Sequence, residues 1–145
     1  MYSTTNVCDI LLQYKPLTNL EIAYAVNKLH IPAFRGVFLR DALPQKANKR
    51  ECGILNLDDS SLDKPSNGTH WVAWYRNGDD KYYFDSYGIQ PPNEIVVYLR
   101  SNTPLLYNTE QIQPRGEVIC GHLCLYMLKQ LSIGRDFQEI LNCLY

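Results

Sequence analysis

An α+β fold is what this sequence predicts, and three observations carry the prediction. A capped, amphipathic segment stands near the beginning, two further helical patterns close the chain, and between them lie two aromatic-rich runs, 70–76 and 81–87, around Asn77-Gly78. With 145 residues the chain is one domain's worth, long enough to bury roughly two-thirds of its unfolded surface in a single core. Its 46% apolar, 20% charged and 12% aromatic residues fall in the globular range and exclude a disordered chain. Lys and Arg number 14 against 15 Asp and Glu; the formal charge of -1 excludes a global basic field that would draw the chain to nucleic acid or anionic lipid.

Thr18-Asn19-Leu20-Glu21 has capping-box spacing, so a helix is expected to start there, with Leu20, Ala23, Tyr24, Val26 and Leu29 on its apolar face and Pro32 ending it shortly after His30. Val37-Phe38-Leu39 is a short apolar stretch, 45–50 a loop, and 52–57 a buried strand, followed by an acidic loop, 58–68. Asn-Gly favours a two-residue type I′ turn, which makes 70–76 and 81–87 a hairpin. If Arg76 faces Asp79, His70 falls directly opposite Asp85, with Cβ atoms about 5 Å apart. A four-residue loop, 77–80, instead sets Asp85 opposite Val72, diagonal to His70. Pro91-Pro92-Asn93-Glu94 opens a helix to about Asn102 with Ile95, Val96, Tyr98 and Leu99 inward, and 105–107 is a short strand. An apolar helix spans about 120–131, closed by Gly134, and the last helix starts after Asp136 with Phe137, Ile140, Leu141 and Leu144 inward.

The first fifteen residues lack a basic start and carry Asp9 in their apolar stretch, so no secretory signal is expected. The longest uncharged apolar run, 118–128, is shorter than the roughly 20 residues that span a bilayer, and no membrane association is expected. Five scattered cysteines, Cys8, Cys52, Cys120, Cys124 and Cys143, fit reduced thiols better than a disulfide framework.

Three histidines limit the nucleophilic chemistry. His30 reads as a helix-terminal residue, and His122 lies two positions from Cys120, about 200° around the helix, a poor base for that thiol. His70 remains: Asp85 can hold one ring nitrogen and leave the other to take a thiol proton. Cys120 opens a helix, where unpaired N–H groups and the dipole favour a thiolate, while Cys124 and Cys143 read as small hydrophobes. Gly121 weakens a helix start unless another chain passes close to the thiol. Gln113, in a Pro- and Gly-containing loop seven residues before Cys120, is equally compatible with solvent exposure and with donating to an oxyanion beside the Cys120 N–H. The spacing of Cys120, His122 and Cys124 does not converge on a metal, and neither metal nor cofactor is expected. Lys46, Lys49 and Arg50 read as a solvated loop or a small polyanion patch.

Gly68-Thr69-His70-Trp71-Val72-Ala73, Phe84-Asp85-Ser86-Tyr87-Gly88, and Gln113 with Cys120-Gly121 resemble the adenain-like cysteine proteases of adenoviruses and Maverick/Polinton-type elements, relatives of the ubiquitin-like-protein proteases. Cys52-Gly53-Ile54-Leu55-Asn56 and the stretch 36–44 extend the resemblance over most of the chain, in order. It implies a papain-like, ubiquitin-like-protease-type fold: a mixed sheet between helices with the nucleophile at the start of a central helix. The resemblance also implies His70 as base, Asp85 as orienting acid, Cys120 as nucleophile and Gln113 as oxyanion donor, with Trp71 and Gly121 bounding a narrow substrate groove. Asp85 stands where adenovirus enzymes have glutamate, a shorter acid that the ubiquitin-like-protein proteases also use. The implied activity is endopeptidase cleavage beside small residues, Gly-Gly-like sites, in viral capsid or core precursors during virion maturation, by a monomer in the host nucleus or cytoplasm and in the virion. Adenovirus enzymes are activated by DNA and by a peptide tethered through a cysteine upstream of the nucleophile. The comparable stretch here, 101–111, has no cysteine, so neither activator is expected to be required. A protease for ubiquitin-like modifiers and an inactive peptide-binding module are the alternatives.

Overall fold

A computed structural model describes residues 14–57, 70–114 and 116–145. The acidic loop, Gly68 and Thr69 of the histidine motif, Cys8, Asp9 and Arg115 lie outside them.

Helix α1 (Asn19–Leu29) starts at the expected capping box: the Glu21 N–H donates to Thr18 Oγ1 at 3.1 Å, and the Glu21 carboxylate accepts the Thr18 N–H at 2.9 Å. It ends at His30 in the left-handed conformation (φ 55°). Its inward face is Ile22, Ala25 and Val26 with Leu29 packed alongside, whereas Leu20 is 76% exposed. The segment carries two apolar stripes; the one with i, i+3, i+4, i+7 spacing from Ile22 docks, and the stripe from Leu20 faces out.

Strands β1 (Phe34–Leu39), β2 (Arg50–Asn56), β3 (Trp71–Asn77), β4 (Asp80–Phe84) and β5 (Leu106–Tyr107) form one sheet in sequence order. The outer pairs, β1–β2 and β4–β5, are parallel, and the inner pairs are antiparallel, so the sheet is mixed. Helix α2 (Asn93–Tyr98) covers one face, and α3 (Cys120–Ser132) and α4 (Phe137–Leu144) join α1 on the other. The period of two along β3 divides its side chains between these layers. Trp71 and Ala73 meet Cys124, Leu125 and Leu128 of the α1–α3–α4 core, while Val72 and Trp74 pack with Leu55, Tyr83 and Ile95 on the α2 side. Burial on both faces explains why β2 and β3 read as nearly continuous apolar runs.

The hairpin forms, but its register differs from the direct His70–Asp85 opposition. Asn77 pairs with Asp80 as a strand residue, leaving Gly78-Asp79 as the turn, and Trp74 pairs with Tyr83. The left-handed φ falls on Gly78 (65°) and not on Asn77, so the turn is not the type I′ turn centred on Asn77-Gly78. Continued past β4, this register sets Asp85 across from Val72 and diagonal to His70. Helix α2 is also shorter than expected: the Leu99 carbonyl accepts from Lys81 Nζ at 2.7 Å, and Val96 is exposed. Among the described residues, no helix is long and apolar enough to cross a membrane.

Candidate active site

His70 directly precedes β3 and Asp85 directly follows β4, so the hairpin carries both to the same end of the sheet. His70 Nε2 lies 2.6 Å from Asp85 Oδ1, which leaves Nδ1 for another partner. Asp85 is fully buried, and the Tyr87 N–H also donates to Oδ1, at 2.8 Å. The Tyr87 ring stacks on the imidazole, with centroids 4.4 Å apart and planes 11° from parallel. The backbone of Asp85 lies beyond the end of the β4–β5 ladder, and the Asn108 side chain takes over there. Its Oδ1 accepts the Asp85 N–H at 3.0 Å, and its Nδ2 donates to the Asp85 carbonyl at 2.6 Å. Gly88, at φ +71°, completes the turn; a Cβ there would stand 2.7 Å from the Glu110 carbonyl. Asn108 carries no periodic or motif signal in the sequence, and Tyr87, though it lies in the expected 81–87 strand and the Phe84–Gly88 motif, has none that marks its stacking role.

Cys120 is the first residue of α3, which packs across β3, and no side chain caps that helix start. The positive end of the helix dipole lies at that start. The Trp71 N–H donates to Cys120 Sγ at 3.5 Å. Burial of the His70 ring pushes its pKa down, but hydrogen bonds with Asp85 and with the Cys120 sulfur outweigh burial and raise it to about 9. The Asp85 carboxylate, the His70 imidazole and the Cys120 thiol are thus brought to one end of the sheet. Burial pushes the Cys52 thiol up to about 12 and raises that of Cys124 well above the ordinary value. His122 lies away from His70, in a separate apolar groove of about 550 Å³ with Leu29 and Tyr126, and His30 caps α1. Among the described residues, no group of three or more His, Cys, Asp or Glu is placed to hold a metal ion.

A cleft of about 690 Å³ opens at this point, between β1, the start of α1 and the 116–118 segment. His70, Trp71, Tyr87 and Cys120 line it. Trp71 is 5% exposed and anchored by its indole N–H to the Leu17 carbonyl at 2.9 Å. At Gly121 the space for a Cβ is taken by Trp71 Cδ1 at 3.2 Å and Leu17 Cδ1 at 3.3 Å, so the close neighbours of this glycine belong to the chain itself. Neither Gly121 nor Gln113 is among the residues lining the cleft. Gln113 is buried rather than solvated, its Nε2 donating to the Glu117 carbonyl at 2.6 Å and its Oε1 accepting from Ser86 Oγ at 2.6 Å. Glu117 does line the cleft, so the Gln113 amide sits immediately behind that wall.

No protein-family model matches the chain, and no curated protein matches it. Among solved structures, ASFV pS273R protease is similar, with a TM-score of 0.67 and 16% identity over 93% of this chain. The selenomethionine form of the same protease gives 0.61, also at 16% identity over 93%. The chain spans 64% and 65% of the length of those two. The five-stranded mixed sheet with its helices is thus the fold found in those viral protease structures.

Proposed function

We propose that this chain is a viral cysteine endopeptidase of adenain-like type, with Cys120 as nucleophile, His70 as general base and acid, Asp85 as the residue that orients His70, and Gln113 as an oxyanion donor. The observation that carries the reading is the 2.6 Å contact of His70 Nε2 with buried Asp85, made by a ring that lines one cleft with Cys120 at a helix start. The fold shared with ASFV pS273R protease supports it further.

The chemistry follows from the groups present. The thiol proton passes to His70, and the thiolate attacks the scissile carbonyl carbon, giving a tetrahedral oxyanion stabilised by the Cys120 N–H and Gln113. As the C–N bond breaks, the imidazolium gives its proton to the leaving amine, and a thioester remains. His70 then takes a proton from water, hydroxide displaces the sulfur, and the proton returns to the thiolate. Substrates are extended segments with small residues at the cut, such as Gly-Gly sites in capsid or core precursors, cleaved without DNA or a tethered activating peptide.

Turnover of a Gly-Gly capsid-type peptide by the purified chain, abolished by Cys120→Ala, tests the reading, with a Gly-Gly-ended modifier fusion as the competing substrate. A thiol-directed inactivator is expected to label Cys120 selectively and to lose that selectivity in His70→Ala. Equal labelling of all cysteines together with no hydrolysis overturns it, and turnover only after DNA or a partner peptide is added overturns the independence from activators.

A further inference from the structure

On the endopeptidase reading above, we propose that Ser86 is a positioning residue that fixes which end of the Gln113 amide is presented as donor at the Glu117 wall of the cleft. The two ends of a glutamine amide have nearly the same shape and opposite hydrogen-bonding roles, so packing alone does not choose between them. Here the choice is made by two partners, one of them fully buried. The Glu117 carbonyl only accepts, and it lies 2.6 Å from Gln113 Nε2, which places the NH₂ end toward the cleft-lining segment. The Ser86 hydroxyl, on a fully buried residue, donates to Oε1 at 2.6 Å and holds the opposite end. The backbone adds two further bonds between the same segments: the Ile112 and Gln113 N–H groups donate to the Ser86 carbonyl at 2.8 and 3.0 Å. Ser86 and Gln113 are therefore clasped at both side chain and main chain.

The arrangement has a chemical consequence. An NH₂ group has two protons, and the Glu117 carbonyl takes one, leaving the second for an oxyanion formed at Cys120. Loss of the Ser86 hydroxyl leaves Oε1 buried without its donor, and the amide gains a reason to turn toward other partners. Because Ser86 directly follows Asp85, the acid and the oxyanion donor are mounted on one turn, yet the Ser86 hydroxyl touches only the second. Ser86 therefore acts on the oxyanion and not on the protonation of His70.

A double-mutant cycle with Ser86→Ala and Gln113→Ala, read on turnover of a Gly-Gly peptide, tests this. Gln113→Ala is expected to lower kcat about a hundredfold, the scale of one lost oxyanion donor. Ser86→Ala should lower kcat about tenfold with KM within about twofold, and should have no further effect once Gln113 is alanine. Its pH profile should keep the basic limb of the wild type, because His70 and Asp85 are untouched. Ser86→Cys, a weaker donor of similar size, should fall between serine and alanine, and it decides the matter if the alanine variant does not fold. Wild-type turnover in Ser86→Ala, an equal loss in both backgrounds, or a displaced basic limb overturns the role of Ser86 alone. Absence of hydrolysis by the wild-type chain overturns the endopeptidase reading, and this one with it.

Discussion

Glu51 and Asp85 are both carboxylates hidden in the sheet region, at 1% and 0% exposure, and they differ in what surrounds them. Glu51, on β2, accepts from Trp74 Nε1 at 2.9 Å, the Tyr98 hydroxyl at 2.7 Å, the Asn48 N–H at 2.7 Å and Arg35 Nη1 at 2.8 Å. Burial pushes its pKa up, and those hydrogen bonds outweigh burial and hold it below the ordinary carboxylate value. Its partners are an indole, a phenol, a peptide N–H and a guanidinium, all acting as donors. Asp85 instead meets the His70 imidazole, which can both take and give a proton, and among the described residues its Oδ2 has no hydrogen-bond partner. Burial of a carboxylate alone thus marks nothing; the titrating partner separates a site from a structural pin.

The sharpest way to break this comparison is Asp85→Asn. On the endopeptidase reading, kcat/KM is expected to fall on the order of 10³ to 10⁴, the scale seen when an orienting acid is neutralised, while the variant still folds. The pH profile gives the sign. His70, raised to about 9 from 6.5, contributes stability that is complete below pH 6.5 and is lost as pH rises through about 9. The imidazolium that protonates the leaving amine is lost over the same interval, so activity should decline along a basic limb near pH 9. In Asp85→Asn that limb should move down toward the ordinary histidine value. A limb unmoved by the substitution would show that Asp85 does not govern His70.

Glu51→Ala should do the reverse. Removing the acceptor leaves Trp74, Tyr98, Asn48 and Arg35 without their common partner, at a cost of about 3 kcal/mol, read as a fall in Tm of roughly 10 °C. The folded fraction should keep the wild-type kcat. Because the Glu51 pKa is depressed by folding, its stabilisation is present above about pH 4.5 and is lost as pH falls through the lower folded value. A denaturant titration at pH 7 and again at acid pH should therefore show wild type and variant converging in acid. Loss of kcat with unchanged Tm would place Glu51 in the site and erase the contrast.

How far these two carboxylates were legible in the sequence follows from the same contrast. Asp85 stood in a hairpin with a strong β pattern and a turn signal, so its proximity to His70 emerged even though the turn slipped by one position. In the realised register they are diagonal rather than opposed, because Asn77 pairs as a strand residue. Cys120 was legible as a thiol at a helix start, which is a local property. Glu51 was not, because it falls between the expected loop, 45–50, and the apolar run that starts at Cys52, and only the tertiary convergence of Trp74, Tyr98 and Arg35 allows it inside. Asn108 was silent, since a single polar residue in a loop has no period, and Ser86, though inside the expected 81–87 strand and the Phe84–Gly88 motif, carried no sign of its partner; both roles appear only when two distant segments meet. The α1 face was ambiguous for another reason, since two apolar stripes overlapped at Val26 and Leu29 and docking on the sheet chose between them.

The smallest expected effect sharpens the comparison at the imidazole itself. Glu51 is held entirely by donors, whereas His70 is held by an acid at its edge and by the Tyr87 ring on its face, at 4.4 Å and 11°. A parallel aromatic ring on a protonated imidazole restricts rotation about its χ angles and favours the charged form, by about 1 kcal/mol together. Tyr87→Ala should then lower kcat/KM about fivefold and draw the basic limb slightly below that of the wild type, because the Tyr87 N–H to Asp85 is main-chain and survives the substitution. Tyr87→Phe keeps the ring and should behave as wild type in both respects. If phenylalanine is as impaired as alanine, the hydroxyl and not the stacked face is what matters; if neither variant moves the limb, the edge contact with Asp85 alone sets the protonation of His70.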